Sequence, residues 1–211
     1  MSKTVNKTRA VATGVAALTA AFALGACGDS ATTEAGPPAS TAAKTSAAAQ
    51  SAAHNRADMS FARMMIPHHQ QAIEMSDIIL AKPDIEPRVS ELATQIKAAQ
   101  GPEIEQLQGW LTDWGMPGMG GMDHGDMKMG DMAGMDGMMS PADMDALENA
   151  QGVQASRLFL TQMIAHHQGA ITMSQREIEK GESPEAIALA TSIVDSQQQE
   201  IDTMNEILSS L

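Results

Sequence analysis

Two pairs of adjacent histidines, His68-His69 and His166-His167, are the residues of this chain best suited to chemistry. Each pair follows a Met-Ile dipeptide, so Met65 and Met163 lie three residues before the first histidine of their pair. Residues three and four positions apart lie on the same face of a helix, which places a thioether beside each imidazole. These ligands suit a soft ion such as Cu(I) or Ag(I) better than the oxygen-preferring Mg²⁺ and Ca²⁺. The pattern therefore predicts metal binding by histidine and methionine.

Other methionines of the same segments extend the candidate ligand set. Met64 adds a sulfur in the first segment only, and Met75 and Met173 each lie seven residues beyond the first histidine of their pair. Because methionine also fills irregular gaps in apolar cores, a core role and a ligand role both stay open for Met75 and Met173. The candidate ligands in the two segments are His68, His69, His166, His167, Met65, Met163, Met64, Met75 and Met173.

Three glutamates near these segments are expected to play another part. Glu74, Glu103 and Glu200 are predicted to be solvated, or to support a site through its ligands, and not to bind the metal themselves.

The histidine pairs lie in a unit that occurs twice in the chain. Residues 61–75 return as residues 159–173 at a constant offset of 98, with Phe, Met-Ile, His-His-Gln and Ala-Ile in equivalent places. A second match, of residues 92–96 with residues 189–193, has an offset of 97. The repeated unit is long enough to be a helical hairpin. Two such hairpins predict an all-α protein with a four-helix bundle.

The first histidine pair is predicted to lie on a long helix. Apolar residues at alternating spacings of four and three indicate a helix that is capped by Asp58 or Ser60 and ends near Leu80. Pro67 removes a backbone hydrogen bond within it, so we expect a kink before His68. Adjacent residues on a helix point about 100° apart. We therefore expect one imidazole of each pair to face the bundle interior and the other an inter-helix groove.

Proline, glycine and serine mark the ends of the other helices. A second helix is predicted from Pro87 to a point before Gly115, with a bend or a division into two shorter helices at Gly101-Pro102. The later helices are predicted from Ser140 to Gly152, from there to about Lys180, and from Ser183 onward.

The N-terminus has the features of an exported bacterial protein. Basic residues precede an apolar run over residues 10–24, which is too short to span a membrane and indicates a signal peptide over residues 1–26. The run ends in Leu24-Gly25-Ala26-Cys27, which resembles a lipobox. We therefore expect lipidation of Cys27 and an extracytoplasmic protein that is attached to the cell membrane through its lipid alone.

The rest of the chain divides by composition. Residues 27–52 are rich in Ala, Ser and Thr without apolar periodicity, which predicts a disordered tether. Residues 53–211 are predicted to form the helical bundle domain, and residues 115–139 a loop within it that is rich in methionine and glycine.

That Met/Gly-rich loop is a second candidate for metal capture. Glycine is too frequent in it, and methionine too irregularly spaced, for a regular amphipathic helix or strand. A low-complexity linker is the alternative, but nine methionines in 25 positions are foreign to ordinary linkers. The candidate ligands of the loop are His124, Met116, Met119, Met122, Met127, Met129 and Met132.

Cysteine content and charge narrow the classes of ligand and partner. Cys27 is the single cysteine, so the folded domain has no disulfide and no thiolate, and any soft ligand in it is a methionine. Without the signal peptide, 10 basic residues stand against 26 acidic ones, a formal charge of −16. This balance argues against a nucleic acid partner and favours cations, although most of these carboxylates are expected only to maintain solubility.

The doubled motif resembles that of a bacterial family known as domain of unknown function 305. The matching residues are Phe61, residues 65–70, Ala72-Ile73 and Met75 in the first copy, and Phe159, Met163-Ile164, His166-His167-Gln168, Ala170-Ile171 and Met173 in the second. The resemblance covers about residues 54–211 and implies a ferritin-like bundle of two duplicated helical hairpins. Some members are periplasmic copper- or silver-binding proteins, so it also implies extracytoplasmic copper handling by the His pairs and adjoining methionines. The chain departs from the family pattern at Gly101-Pro102 and in the long Met/Gly-rich loop.

Three functions follow as hypotheses. The first is a binding protein, not an enzyme, that sequesters Cu(I) or Ag(I) or exchanges copper with a donor or acceptor protein. The second, a di-iron oxidase, requires Glu-x-x-His motifs, and no glutamate here has a histidine three residues later. The third is a structural or interaction lipoprotein with no metal role, whose fold is indifferent to metal. If the histidines bind copper, affinity is expected to weaken as the pH falls through about 6.5, because protons compete.

Overall fold

The computed structural model describes residues 53–116 and 135–211. The helices of these ranges are α1 (Arg56–Leu80), α2 (Pro87–Asp113), α3 (Pro141–Asn149), α4 (Gly152–Lys180) and α5 (Pro184–Ser210). All regular secondary structure in the described ranges is helical, which confirms the predicted all-α class. Among these residues, no helix combines the length and the apolar character that crossing a membrane requires.

Four long helices form two hairpins. α1 packs along α2, α4 packs along α5, and the short connections between partners make each pair antiparallel. The hairpins meet mainly through α1 against α4, while α2 and α5 touch only slightly. The short helix α3 rests on α1 and α4. The four-helix bundle predicted from the duplication is therefore confirmed, with the two histidine-bearing helices at its centre.

The N-terminus of α1 differs from the prediction. The side chain of Asn55 is the N-cap and accepts the backbone N–H groups of Ala57 and Asp58, at 2.6 and 3.3 Å. Asp58 reciprocates by accepting the N–H of Asn55 at 2.6 Å, which completes a capping box. The prediction that Asp58 or Ser60 is the N-cap was therefore wrong. Asp58 is instead the N3 residue of the capping box, and the side chains of both residues in such a box form capping hydrogen bonds.

The later helices begin where serine and proline predict. Ser140 caps α3 and forms a capping box with Asp143, and Ser183 caps α5 by accepting the N–H of Ala186 at 3.3 Å. Ala150 and Gln151 separate α3 from α4, and α4 begins at Gly152, whose φ of +54° favours glycine.

Proline does not divide either helix of the first hairpin. α1 continues through Pro67, and α2 runs through Gly101 and Pro102 as one helix. The alternative of two shorter helices at Gly101-Pro102 was therefore wrong. Apolar side chains on both sides of the proline, including Ile96 and Leu107, are buried. This packing offsets a proline cost of about 3 kcal/mol.

The core consists of two apolar clusters with the histidines between them. Along α1, residues 61–66 belong to one cluster and residues 72–79 to the other. Along α4, residues 155–163 belong to the second cluster and residues 170–173 to the first. The paired histidines occupy the interval on each helix and thus form a buried polar layer across the middle of the bundle.

Candidate metal centre

The first histidine of each pair meets its repeat partner at the centre of the bundle. His68 comes from α1 and His166 from α4, and their ring centroids are 3.7 Å apart with the ring planes tilted by 37°. His68 is 0% and His166 1% exposed. The contact arises because the duplicated motif occupies equivalent positions on the two helices that face each other.

The second histidine of each pair turns toward the other helix of its own hairpin. Nε2 of His69 lies 2.7 Å from Oε2 of Glu103 on α2, and Nε2 of His167 lies 2.6 Å from Oε2 of Glu200 on α5. Both imidazoles are buried, so neither pair is divided between the interior and an open groove. Glu103 and Glu200 thus each contact a histidine and are not simply solvated, and their support of metal ligands stays a prediction.

Several ring nitrogens of this layer have no protein partner. A carboxylate can only accept a hydrogen bond unless it is protonated, so Nε2 of His69 and His167 carries the proton toward its glutamate. The unpaired buried ring nitrogens of the described chain are Nδ1 of His68, His69 and His167 and both ring nitrogens of His166. Lone pairs at such positions are available to a metal ion, and a histidine that gives its other N–H to a carboxylate is typical of metal sites.

The central pair stays neutral over a wide pH range. Burial, followed by the proximity of His69, lowers the pKa of His68 to about 3, against a smaller opposing effect of the Asp136 carbonyl. Burial lowers the pKa of His166 well below its ordinary value, and the neighbouring histidines add to the effect. Neutral imidazole is the form that binds metal, so both rings are in the ligand state at neutral pH.

Buried methionines border the histidine layer on both sides. Met65 and Met173 belong to the apolar cluster on one side, and Met75 and Met163 to the cluster on the other. All of these thioethers are at most 3% exposed. Met64 is partly buried against the first of these clusters. The structure thus brings the predicted bundle ligands into one region, in which the four imidazoles lie between two apolar clusters that contain the thioethers.

A segment that the sequence motifs do not identify covers this region. Residues 135–139, which we call the strap, end the Met/Gly-rich loop and lie across α1 and α4. The carbonyl oxygen of Asp136 lies 3.2 Å from Nε2 of His68, and its carboxylate accepts a hydrogen bond from Arg176 at 2.7 Å. Gln71 binds the backbone of Met139 twice, donating to its carbonyl at 2.9 Å and accepting its N–H at 2.7 Å.

The loop candidates are mostly outside the described residues. Met116 follows α2 and is 38% exposed. The remaining loop candidates and the lipidation site lie outside the described ranges, namely His124, Met119, Met122, Met127, Met129, Met132 and Cys27.

Nitrogen and oxygen ligands alone do not make a metal site in the visible part of the chain. Within residues 53–116 and 135–211, no three or more His, Cys, Asp or Glu side chains converge as a group that could hold a metal ion. In the bundle, the thioethers of Met65, Met75, Met163 and Met173 border the imidazoles, and sulfur favours a soft ion.

Solved structures with the same fold are similar to this chain. A DUF305 protein from Streptomyces coelicolor, described as secreted, shares 34% identity, with 73% of this chain and 91% of that chain covered at a TM-score of 0.64. A DUF305 fragment from Deinococcus radiodurans shares 32% identity over 74% of this chain and 98% of that one, also at 0.64. CopM in its Cu(I)-bound form shares 32% identity over 72% and 96%, at 0.59.

The chain also matches a viral protein over a short stretch and a family model over most of its length. The uncharacterised protein L153 of Acanthamoeba polyphaga mimivirus is 48% identical over 50 residues, which cover 24% of this chain and 33% of the viral protein. The chain thus matches only about a third of that relative. The model of the domain of unknown function DUF305 matches residues 58–208. This range includes all the described helices apart from two residues at the start of α1 and two at the end of α5. The chain therefore belongs to the DUF305 family.

Proposed function

We propose that this protein is an extracytoplasmic, lipid-anchored metal-binding protein that takes up Cu(I), and also Ag(I), through histidine and methionine, and that it catalyses no reaction. The observation that carries the proposal is the layer of buried imidazoles whose ring nitrogens lack a protein partner. Sequestration and delivery to a partner protein both remain within this proposal.

The energetics of the histidine layer support a ligand. A buried polar group without a hydrogen bond costs about 1–3 kcal/mol, and the unpaired ring nitrogens are concentrated in one layer. A soft cation would compensate these nitrogens and could share the sulfurs of Met65 and Met163. It would also be compatible with the neutral state of His68 and His166.

Similarity to CopM supports the choice of metal. CopM has been solved in Cu(I)-bound, Cu(II)-bound and Ag-bound forms. The Cu(II)-bound form is 35% identical to this chain, and the match covers 72% of this chain. Cu(I) and Ag(I) both prefer the thioethers that this chain supplies in its core and in the Met/Gly-rich loop.

The N-terminus and a relative both support a location outside the cytoplasm. The Streptomyces coelicolor protein is described as secreted. The apolar run and Cys27 of this chain fit export followed by lipidation. Outside the cytoplasm thiols oxidise, so methionine is the soft ligand that persists there.

The proposal is tested by anaerobic titration with Cu(I) against a competing chelator, on the domain from residue 52. One variant carries His68, His69, His166 and His167 as alanine. A second replaces the loop methionines between residues 117 and 134 by leucine and keeps the strap intact. The matched control is the pair Ser76→Ala and Ser174→Ala, which removes two buried polar side chains from the same helices at the repeat offset.

The variants distinguish the places where metal is held. Tight binding that is lost in the histidine variant and kept in the serine control places the site in the bundle. Loss only in the loop variant makes the bundle a scaffold for the loop. If the unaltered domain does not compete with the chelator, the copper proposal fails and the structural lipoprotein replaces it.

A further inference from the structure

We propose that the strap is a positioning element of the metal site, and that the Asp136 carbonyl selects the tautomer of His68 that presents Nδ1 to the metal. This inference rests on the proposed function for the identity of the ligand. It adds a role for residues that neither the repeat nor the family match singles out.

The strap is held by contacts with both central helices. On α1, the side chain of Gln71 pairs with the backbone of Met139 through two hydrogen bonds, and His68 meets the carbonyl of Asp136. On α4, Arg176 pairs with the carboxylate of Asp136, and the backbone of Gly137 lies against Gly169. The segment therefore bridges the two helices directly over the His68–His166 contact.

Two glycines allow the strap to lie this close. A Cβ on Gly169 would overlap the carbonyl of Asp136 and would lie 2.7 Å from Cα of Gly137. Gly137 has a φ of +81°, and a Cβ there would lie 2.7 Å from the carbonyl oxygen of Ala165. Any larger residue at either position would force the strap away from α4.

The two copies of the repeat differ where the strap binds. The position of Gln71 in the first copy is taken by Gly169 in the second, at the offset of 98. The first copy thus supplies the amide that holds the strap, and the second supplies the space that admits it. This difference between the two copies is expected if a single segment covers a single site.

The chemistry of the contact determines the tautomer. A backbone carbonyl only accepts hydrogen bonds, so the 3.2 Å contact requires the proton of His68 on Nε2. A neutral imidazole has one N–H, and Nδ1 consequently holds a lone pair. That Nδ1 is buried and has no protein partner. Nε2 of His69 and Nε2 of His167 also face an acceptor, a glutamate carboxylate in place of the carbonyl, and Nδ1 of each has no protein partner.

The strap also continues directly from the Met/Gly-rich loop. Met135, Met138 and Met139 lie within it and are partly buried. The end of the loop and the histidine layer therefore form one continuous region.

The test combines histidine NMR with Ag(I) titration on the full chain. With ¹⁵N-labelled histidine and no metal, His68 is expected to show a protonated Nε2 and an unprotonated Nδ1. Gly169→Ala displaces the strap, so the ¹⁵N chemical shifts of Nδ1 and Nε2 of His68 should converge. The Ag(I) affinity should fall about 10- to 100-fold. Gly109→Ala is the matched control, because it lies in a helix where nothing is within 4 Å of an added Cβ.

A second variant tests the same role without the risk of misfolding that the added volume of Gly169→Ala brings. Gln71→Ala removes both hydrogen bonds to Met139 without adding volume, and it should change the tautomer and the affinity in the same direction as Gly169→Ala. If both variants keep the Nε2–H tautomer and bind Ag(I) as tightly as the unaltered chain, the positioning role is wrong while metal binding stands. If the unaltered chain binds no Ag(I), the proposed function fails and this role fails with it.

Discussion

The carboxylate of Glu200 lies 2.6 Å from Nε2 of His167, and the equivalent contact in the first hairpin joins Glu103 to His69 at 2.7 Å. Each glutamate comes from the outer helix of its hairpin and each histidine from the inner one. The carboxylates therefore orient two buried imidazoles from opposite sides of the bundle.

Removing these carboxylates should weaken metal binding. Glu103→Ala and Glu200→Ala together leave two buried N–H groups without an acceptor, so Ag(I) affinity should fall about 10- to 100-fold in a competitive titration. The free energy of unfolding should also fall by about 1–3 kcal/mol for each site. Gln at both positions keeps an acceptor and should lose less.

The control for this prediction lies on the same two helices. Glu105→Ala and Glu206→Ala remove exposed carboxylates and should leave the affinity unchanged. Equal affinities in the Glu103/Glu200 and control variants would mean that the carboxylates do not act on the metal site.

Replacing the methionines beside the histidines should separate a ligand role from a packing role. Met65→Leu with Met163→Leu nearly conserves volume, so the free energy of unfolding should change by less than about 1.5 kcal/mol for each substitution. A large loss of Cu(I) affinity is nevertheless expected, because leucine offers no sulfur. Urea unfolding and anaerobic Cu(I) competition measure the two effects.

Met204 provides the comparison for packing. It is a fully buried methionine of α5 in the apolar cluster that contains Met163. Met204→Leu should cost similar stability without loss of affinity. If Met65 and Met163 behave as Met204 does, they are core residues only. The same pair of measurements on Met75→Leu and Met173→Leu resolves the alternatives left open for those residues.

Much of the fold was predictable because it depends on local patterns. The offsets of 98 and 97 identify two hairpins, and the serine and proline signals at Ser140 and Ser183 identify helix starts. Errors arose where tertiary packing decides. Gly101 and Pro102 favour a break locally, but burial of their neighbours keeps α2 whole.

The contacts within the site were harder to predict from the sequence than its candidate ligands. The His pairs follow from composition and spacing, whereas the partner of each histidine depends on how the helices are rotated against each other. The offset of 97 also relates Glu103 to Glu200, and this equivalence was a usable signal for their shared contact with histidine. The strap had a weaker signal, the exchange of Gln71 for Gly169, and its contact with His68 spans 68 positions of sequence.

The central histidines should make the metal-free protein sensitive to acid. The pKa of His68 is about 3 in the folded state, and that of His166 is also well below the ordinary 6.5. The unfolded chain therefore binds protons that the folded chain does not. The effect of these two histidines on the free energy of unfolding is therefore most favourable above pH 6.5. As the pH falls from 6.5 toward about 3, the free energy of unfolding decreases.

A double variant isolates this contribution. His68→Gln with His166→Gln should show a smaller loss of unfolding free energy between pH 6.5 and 4 than the unaltered protein, measured by urea denaturation without metal. Ser76→Ala with Ser174→Ala should keep the original slope. Parallel profiles for all three proteins would contradict the lowered pKa values. For metal binding, proton competition at His68 is expected well below the pH of 6.5 that its residue type alone predicts.

A buried carboxyl pair should make the protein sensitive to alkali as well. Glu177 is 1% and Asp58 0% exposed. Burial, followed by the neighbouring Asp58 carboxylate, raises the pKa of Glu177 to about 8. Burial alone would raise the pKa of Asp58, but Glu177 and the backbone N–H groups of Asn55, Ser183 and Glu182 lower it overall.

Because the folded pKa of Glu177 lies above its ordinary value of 4.5, its contribution to stability is complete below pH 4.5 and is lost as the pH rises through about 8. The unaltered protein should therefore unfold more easily at pH 9 than at pH 7. Glu177→Gln keeps a neutral side chain of the same size, so it should remove this decline and be more stable at pH 9 by on the order of a few kcal/mol. Urea denaturation from pH 6 to 9.5 measures the effect, with the exposed Glu179→Gln as control. A decline of unchanged size in Glu177→Gln would contradict the raised pKa of Glu177 and would show that another group titrates.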